Sequence, residues 1–94
     1  MNPLNFLESG EYEIEFKWIN KNDRGGIDNE KKIITINLLL LLTETFIHEF
    51  LHYQDNTPDE EKILLKQKKL LNRMSKNDIQ AIGKKLTDLL FTQK

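Results

Sequence analysis

His48, Glu49 and His52 stand in the string His48-Glu49-Phe50-Leu51-His52, which contains both histidines of the chain. On a helix, residues four apart lie one turn apart on the same face, so two imidazoles at this spacing can bind one Zn²⁺. Glu49, between them, is placed to reach a water on that ion. The chemistry expected is metal-assisted hydrolysis of a peptide bond, with the histidines as ligands and Glu49 as proton carrier. The plain alternative is two surface histidines flanking a glutamate on a solvated helix. At about 100° per residue, the helix has a polar front carrying His48, Glu49 and His52 and an apolar back carrying Phe46, Ile47, Phe50 and Leu51. That is the layout of a ligand-bearing helix set against a core.

A catalytic zinc takes three protein ligands and keeps an open position. With no further histidine and no cysteine in the chain, the third ligand has to be a carboxylate. The metzincin pattern would place Gly and His at the third and sixth positions after His52, but Asp55 and Pro58 stand there. The nearby candidates are Asp55, Asp59, Glu60 and Glu61. Asp55 is too close to the end of the same helix to swing under the ion. On the following helix Glu60 shares its phase with Ile63, Leu64, Gln67, Leu70, Leu71 and Met74, so it points into an apolar stripe, while Glu61 points to the edge of that stripe. A carboxylate aimed at a core is costly unless paired or metal-bound, which favours Glu60 as the third ligand and leaves Glu61 as the alternative. The competing role for Glu60 is a capping-box residue, with Thr57 as N-cap and Pro58 as first helical residue. In the mechanism, Glu49 takes a proton from zinc-bound water as the hydroxide attacks a carbonyl, then hands it to the leaving amine. Tyr12, Tyr53 and Arg73 are the only side chains that suggest themselves for the oxyanion, and Tyr53 faces away from the front.

These residues need a scaffold to position them. Glu11 to Ile19 alternates, with Tyr12, Ile14, Phe16 and Trp18 on one side and Glu11, Glu13, Glu15 and Lys17 on the other, as a half-buried strand does. Asn20 to Gly26 is dense in turn formers, and Lys32 to Asn37 is β-branched enough for a second strand, so the pair is expected to form an antiparallel hairpin. A helix is expected from Leu39 or Thr43 to Tyr53, ended by Asp55-Asn56-Thr57-Pro58, then a second to about Arg73. Ser75 with Asp78 opens a last helix whose Ile79, Ile82, Leu86, Leu89 and Leu90 make one stripe. Leu4 to Glu8 is open between a strand and a helical turn. The fold class is α+β: a small antiparallel sheet packed on the active-site helix, a glutamate helix and a C-terminal helix.

Ninety-four residues are enough for one domain with a modest core, here 1–94. Fourteen basic against 15 acidic residues leave a net charge of −1, which supplies no field for nucleic acid or anionic lipid. There is no cysteine for a disulfide or a thiolate zinc site. The N-terminus lacks the charged and apolar regions of a signal peptide, and the apolar run from Leu38 to Leu42 is far short of a bilayer span, so a soluble, cytoplasmic protein is expected.

A strand before the His48-Glu49-x-x-His52 helix, followed by a glutamate helix, resembles the gluzincins, whose third zinc ligand is a Glu on a later helix. The small size and the short spacer from His52 to Glu60 resemble most closely the minigluzincins, soluble minimal scaffolds similar to the catalytic domains of integral-membrane metallopeptidases. That resemblance covers nearly the whole chain, but only His48, Glu49, His52 and a glutamate of the second helix carry specific chemistry. It implies one catalytic Zn²⁺, a peptide or protein substrate and a self-inhibited zymogen. In the zymogen the tail 91–94, Phe91, Thr92, Gln93 and Lys94, would occupy the cleft, with Phe91 filling a specificity pocket. The chain departs from larger gluzincins at Leu64, where an Asp or Asn often follows the ligand Glu, which puts support for the third ligand in doubt. The alternative function is a non-enzymatic zinc-binding or interaction module, whose amphipathic C-terminal helix docks a partner or a second copy of the chain.

Overall fold

In the computed structural model, which describes residues 2–93, the order of elements is α1 (Pro3–Ser9), β1 (Glu13–Phe16), β2 (Gly25–Asp28), β3 (Ile33–Ile36), α2 (Leu38–Asp55), α3 (Glu60–Arg73) and α4 (Lys76–Thr92). The class is α+β, as the sequence pattern implies. The chain divides into two compact units, Met1–Leu38 and Leu39–Lys94.

The first unit holds α1 and the sheet. Leu4 to Glu8, open on sequence, is helical: the Asn2 side chain caps the N-terminus by accepting from the Leu4 amide, Pro3 occupies the first turn, and Gly10 at φ 70° ends the helix. The sheet is mixed, with strand order β1-β3-β2. The expected antiparallel hairpin of the first and last strands is therefore corrected: β1 runs parallel to β3, with Glu13 opposite Ile33 and Phe16 opposite Ile36. The antiparallel partner of β3 is β2, drawn partly from the stretch expected to be loop, with Gly25 opposite Ile36 and Asp28 opposite Ile33. A Cβ on Gly25 would lie 2.7 Å from the Thr35 carbonyl oxygen, so glycine serves close approach to the central strand here rather than a turn. The turn itself is confined to Asn20–Asp23, closed by a bridge between those two residues. Asn37, fully buried, ties it down: its side-chain amide donates to the carbonyls of Asn20 and Asp23, both at 2.9 Å. The alternation of β1 is weaker than its residues imply. Ile14 is half-buried, whereas Phe16 is 60% exposed.

The second unit consists of the helices α2, α3 and α4. Helix α2 buries Leu40, Thr43, Ile47 and Leu51, residues at helical spacing on one face. The expected apolar back is thus half right: Ile47 and Leu51 are inside, while Phe46 and Phe50 are 43% and 39% exposed and stack on each other. Thr43 takes the place because its hydroxyl lies 2.7 Å from the Leu39 carbonyl and 3.0 Å from that of Ile79 on α4, so its polar atom is satisfied inside. Ile47, Leu51 and Ile63 form the core cluster, with Leu70, Leu71, Met74 and Ile82 against it. Ser75 caps α4 by accepting from the Asp78 amide, as expected, and the stripe of α4 fades along its length, from Ile79 fully buried to Leu89 and Leu90 at 45% and 55% exposed. Among the described residues, no helix is long and apolar enough to cross a membrane.

Helices α2 and α4 meet at a glycine. A Cβ on Gly83 would fall 2.8 Å from both Cβ and the carbonyl oxygen of Leu39. On an exposed helix Gly→Ala would stabilise by roughly 1 kcal/mol. Here the overlap with backbone reverses the sign, and Gly83→Ala is expected to destabilise by about 1–3 kcal/mol in chemical denaturation.

Candidate metal centre

The end of α2 and the start of α3 bring three side chains together. Asn56 leaves the helix with φ 49°, its amide donating to the His52 carbonyl at 2.8 Å, a left-handed stop that asparagine tolerates. Thr57 follows, its hydroxyl oxygen accepting from the Asp59 amide, and Asp59 then caps α3 by accepting from the Lys62 amide. The expected cap at Thr57 with Pro58 as first helical residue is corrected by this: Asp59 is the cap and Glu60 the first residue of α3, so Glu60 is not occupied as a capping-box residue. Its carboxylate instead lies against both histidines, Oε2 at 2.9 Å from His48 Nε2 and Oε1 at 2.7 Å from His52 Nε2.

The opposite ring nitrogens are engaged as well. His52 Nδ1 is 2.9 Å from the Thr57 carbonyl oxygen, and His48 Nδ1 is 2.8 Å from Gln67 Oε1. Every nitrogen of the two rings thus faces an acceptor, but a neutral imidazole carries one proton and donates once. The two rings fall short by one donor each unless they take a second proton or Nε2 meets a cation. For His52 the shortage shows as a pKa raised above 6.5: the Thr57 carbonyl is the main cause, partial desolvation opposes it, and Glu60, by hydrogen bond and charge, and then Glu49, by charge, add to it.

His48, His52 and Glu60 offer ligand atoms that all lie within 4.8 Å of one another. Ligands around a tetrahedral zinc sit about 3.3 Å apart, so admitting the ion would mean lengthening the two short Glu60 contacts and bringing all three donor atoms to that spacing. The donor set, two imidazoles and a carboxylate, fits Zn²⁺, and Nδ1 of each ring is held from behind as metal-binding histidines usually are. Glu60 was expected here because it should point into the core; it is in fact 62% exposed. What brings it to the histidines is the link Asn56–Asp59, which starts α3 beside the front of α2.

The other expected residues are placed as follows. Glu61 is exposed and outside the group of three, and Asp55 is ion-paired with Lys66. The Glu49 side chain is exposed and makes no hydrogen bond among the described residues. It borders an apolar groove of about 360 Å³ between α2 and α4, walled by Phe46, Leu86, Leu89, Leu90 and Gln93. A second hollow, lined by His48, Leu64 and Gln67, shares Thr45 with that groove. Of the expected tail, Gln93 lines the groove at Glu49, while Thr92 bonds its hydroxyl back to Leu89 and Phe91 is 81% exposed and fills no pocket. The tail through Thr92 is the last turn of α4, because its apolar stripe runs on to Leu90; Lys94 lies outside the described residues. For the oxyanion, Tyr12 is engaged with Asn29 inside the first unit, Tyr53 is 84% exposed, and Arg73 lines a separate cavity with Lys66 and Lys69. Gln67 is visible on sequence only as one member of the α3 stripe. The reason is that its role depends on a contact with His48 that no local pattern announces.

No protein-family model, curated protein or solved structure matches the chain.

Because the folded pKa of His52 is raised, its contribution to the stability of the metal-free protein is fully present below pH 6.5 and is lost as pH rises through that raised value. A metal ion taken up at Nε2 would have to displace this proton, so the affinity for zinc, if it is the ion held, should increase with pH across the same window and then level off. Calorimetric titrations in buffers of different ionisation enthalpy should record proton release that shrinks toward the upper end.

Proposed function

We propose that the protein is a zinc-dependent metallopeptidase of the gluzincin type, with His48, His52 and Glu60 as metal ligands and Glu49 as general base and acid. The observation that carries this reading is the donor shortage at Nε2 of both histidines, with one carboxylate between them. A zinc ion there would act as a Lewis acid and lower the pKa of a coordinated water. Glu49, one residue from a ligand and with no side-chain hydrogen bond among the described residues, would take the proton of the attacking water and deliver it to the leaving amine. Its position on the polar front is what separates a catalytic site from a structural one, since a structural zinc would need a fourth protein ligand.

Latency belongs to the same proposal. Leu89, Leu90 and Gln93 wall the groove that Glu49 borders, so the end of α4 covers one side of the approach to the carboxylate. The resemblance to the minigluzincins points to a tail in the cleft; the support here is that Leu89, Leu90 and Gln93, rather than Phe91, line the groove with Glu49.

Three substitutions and one truncation test the reading. Glu49→Gln should keep zinc at one equivalent and lose peptidase activity on an unstructured protein by about 10²-fold or more. Glu60→Ala should lose zinc, whereas Glu61→Ala should keep it; full zinc content in Glu60→Ala would overturn the ligand assignment. Truncation after Leu89 should raise activity. Zinc bound tightly with no hydrolysis by the full-length or the truncated chain would favour the non-enzymatic module.

A further inference from the structure

We propose that a groove between α2 and α3 binds an acidic peptide segment in extended form, with alternate carboxylates on Lys69 and Arg73 and the apolar residue between them against Phe50. The groove has a volume of about 520 Å³. From α3 it is lined by Lys66, Lys69 and Arg73, and from α2 by Phe50, Gln54 and Asp55. Leu51, buried, and Leu70, half-buried, add apolar surface to it. At about 100° per residue, the three cations lie roughly 120–180° round α3 from Glu60. The groove and the metal centre therefore share no residue.

Three cations meet one anion here. Lys66 is ion-paired with Asp55, whereas the exposed side chains of Lys69 and Arg73 make no ion pair among the described residues. Like charges three and four positions apart repel along one face of α3 and weaken it. The helix dipole favours Arg73, in the last turn, but not Lys69 before it. Two unanswered positive charges thus stand beside apolar surface in a chain whose net charge is −1. An anion with an apolar flank would use both features.

The spacing points to peptide. Lys69 and Arg73 are four residues apart, about 6 Å along the helix. Alternate residues of an extended chain are about 6.6 Å apart and point to one side, while the residue between them points to the other. An acidic-apolar-acidic segment running along the groove would set both carboxylates against α3 and its apolar side chain against Phe50, which is 39% exposed. Gln54 adds an amide that can donate to, and accept from, a peptide group. Nucleic acid fits less well, because Asp55 stands among the cations and Leu51 and Leu70 offer nothing to a sugar-phosphate backbone.

The test uses the full-length, metal-free protein and labelled peptides carrying Glu-Leu-Glu, Gln-Leu-Gln or Lys-Leu-Lys in a Gly-Ser background, with binding read by fluorescence anisotropy. Glu-Leu-Glu should bind about tenfold more tightly than Gln-Leu-Gln, as two exposed charge pairs would give, and should lose that advantage as salt is raised. Combining Lys69→Gln with Arg73→Gln should remove the difference, and combining Lys69→Glu with Arg73→Glu should turn the preference to Lys-Leu-Lys. Both residues are exposed, so circular dichroism should show the fold retained; the comparison of peptides on the natural protein decides without the variants. Glu-Leu-Glu and Gln-Leu-Gln bound within about twofold of each other by the natural protein would overturn the proposal. So would a single-stranded oligonucleotide that displaces the acidic peptide at lower concentration, or a dimer of the chain that the doubly neutralised protein fails to form, which would give the groove to nucleic acid or to a second copy. Because binding is read without zinc and without hydrolysis, failure here leaves the peptidase reading untouched, and an inactive protein that still binds the acidic peptide leaves this proposal standing.

Discussion

A single carboxylate, Glu60, lies against Nε2 of two histidines whose other nitrogens already face acceptors. Four acceptors against two neutral rings is an imbalance that extra protons, a cation or, at His48, a half turn of the Gln67 amide would relieve. Much of the local structure of the second unit can be understood as maintaining it. Helix α2 sets the two rings one turn apart; the left-handed residue Asn56 ends the helix at the point where the Thr57 carbonyl can return to His52; and Asp59 caps α3 so that Glu60 emerges first. Behind the rings, Ile47, Leu51 and Ile63 pack α2 and α3 together, which fixes the distance across which Glu60 and Gln67 reach.

The same helix separates two chemistries. On its α3 side are the histidines and the acceptors that compete for their protons. On its α4 side the Glu49 side chain stands at the edge of an apolar groove, with no hydrogen-bond partner among the described residues. A carboxylate that took part in the clasp around the histidines would be a ligand or an ion-pair member; Glu49 is exposed and outside that group. The walls of the groove come from the end of α4, where the apolar stripe continues past the point at which it is buried. Activity and latency would then be settled by the same few residues.

Much of this was legible in the sequence, and what was missed has identifiable causes. The histidine spacing and the caps at Ser75 and Asp78 depend on residues close in sequence, and helical periodicity reads them directly. Helical phase points Glu60 toward the core; it is exposed, and it reaches the histidines because the link before α3 is short. The parallel pairing of β1 with β3 was hidden because Gly25-Gly26 reads as a turn, whereas the absence of a Cβ at Gly25 lets a third strand approach Thr35. Thr43 was overlooked in favour of Phe46 because hydrophobicity ranks the phenyl ring higher, while the carbonyls of Leu39 and Ile79 satisfy the hydroxyl inside. Gln67 depends on a partner nineteen positions away, and no local pattern carries that information.

The central claim is that His48, His52 and Glu60 hold one zinc ion. The most direct measurement is a crystal structure of the zinc-loaded protein with data collected on both sides of the zinc absorption edge. The account predicts one anomalous peak at coordination distance from His48 Nε2, His52 Nε2 and a Glu60 oxygen, with the fourth position filled by solvent or a small ligand. Glu60 still hydrogen-bonded to both imidazoles, with no anomalous peak between them under saturating zinc, would contradict it.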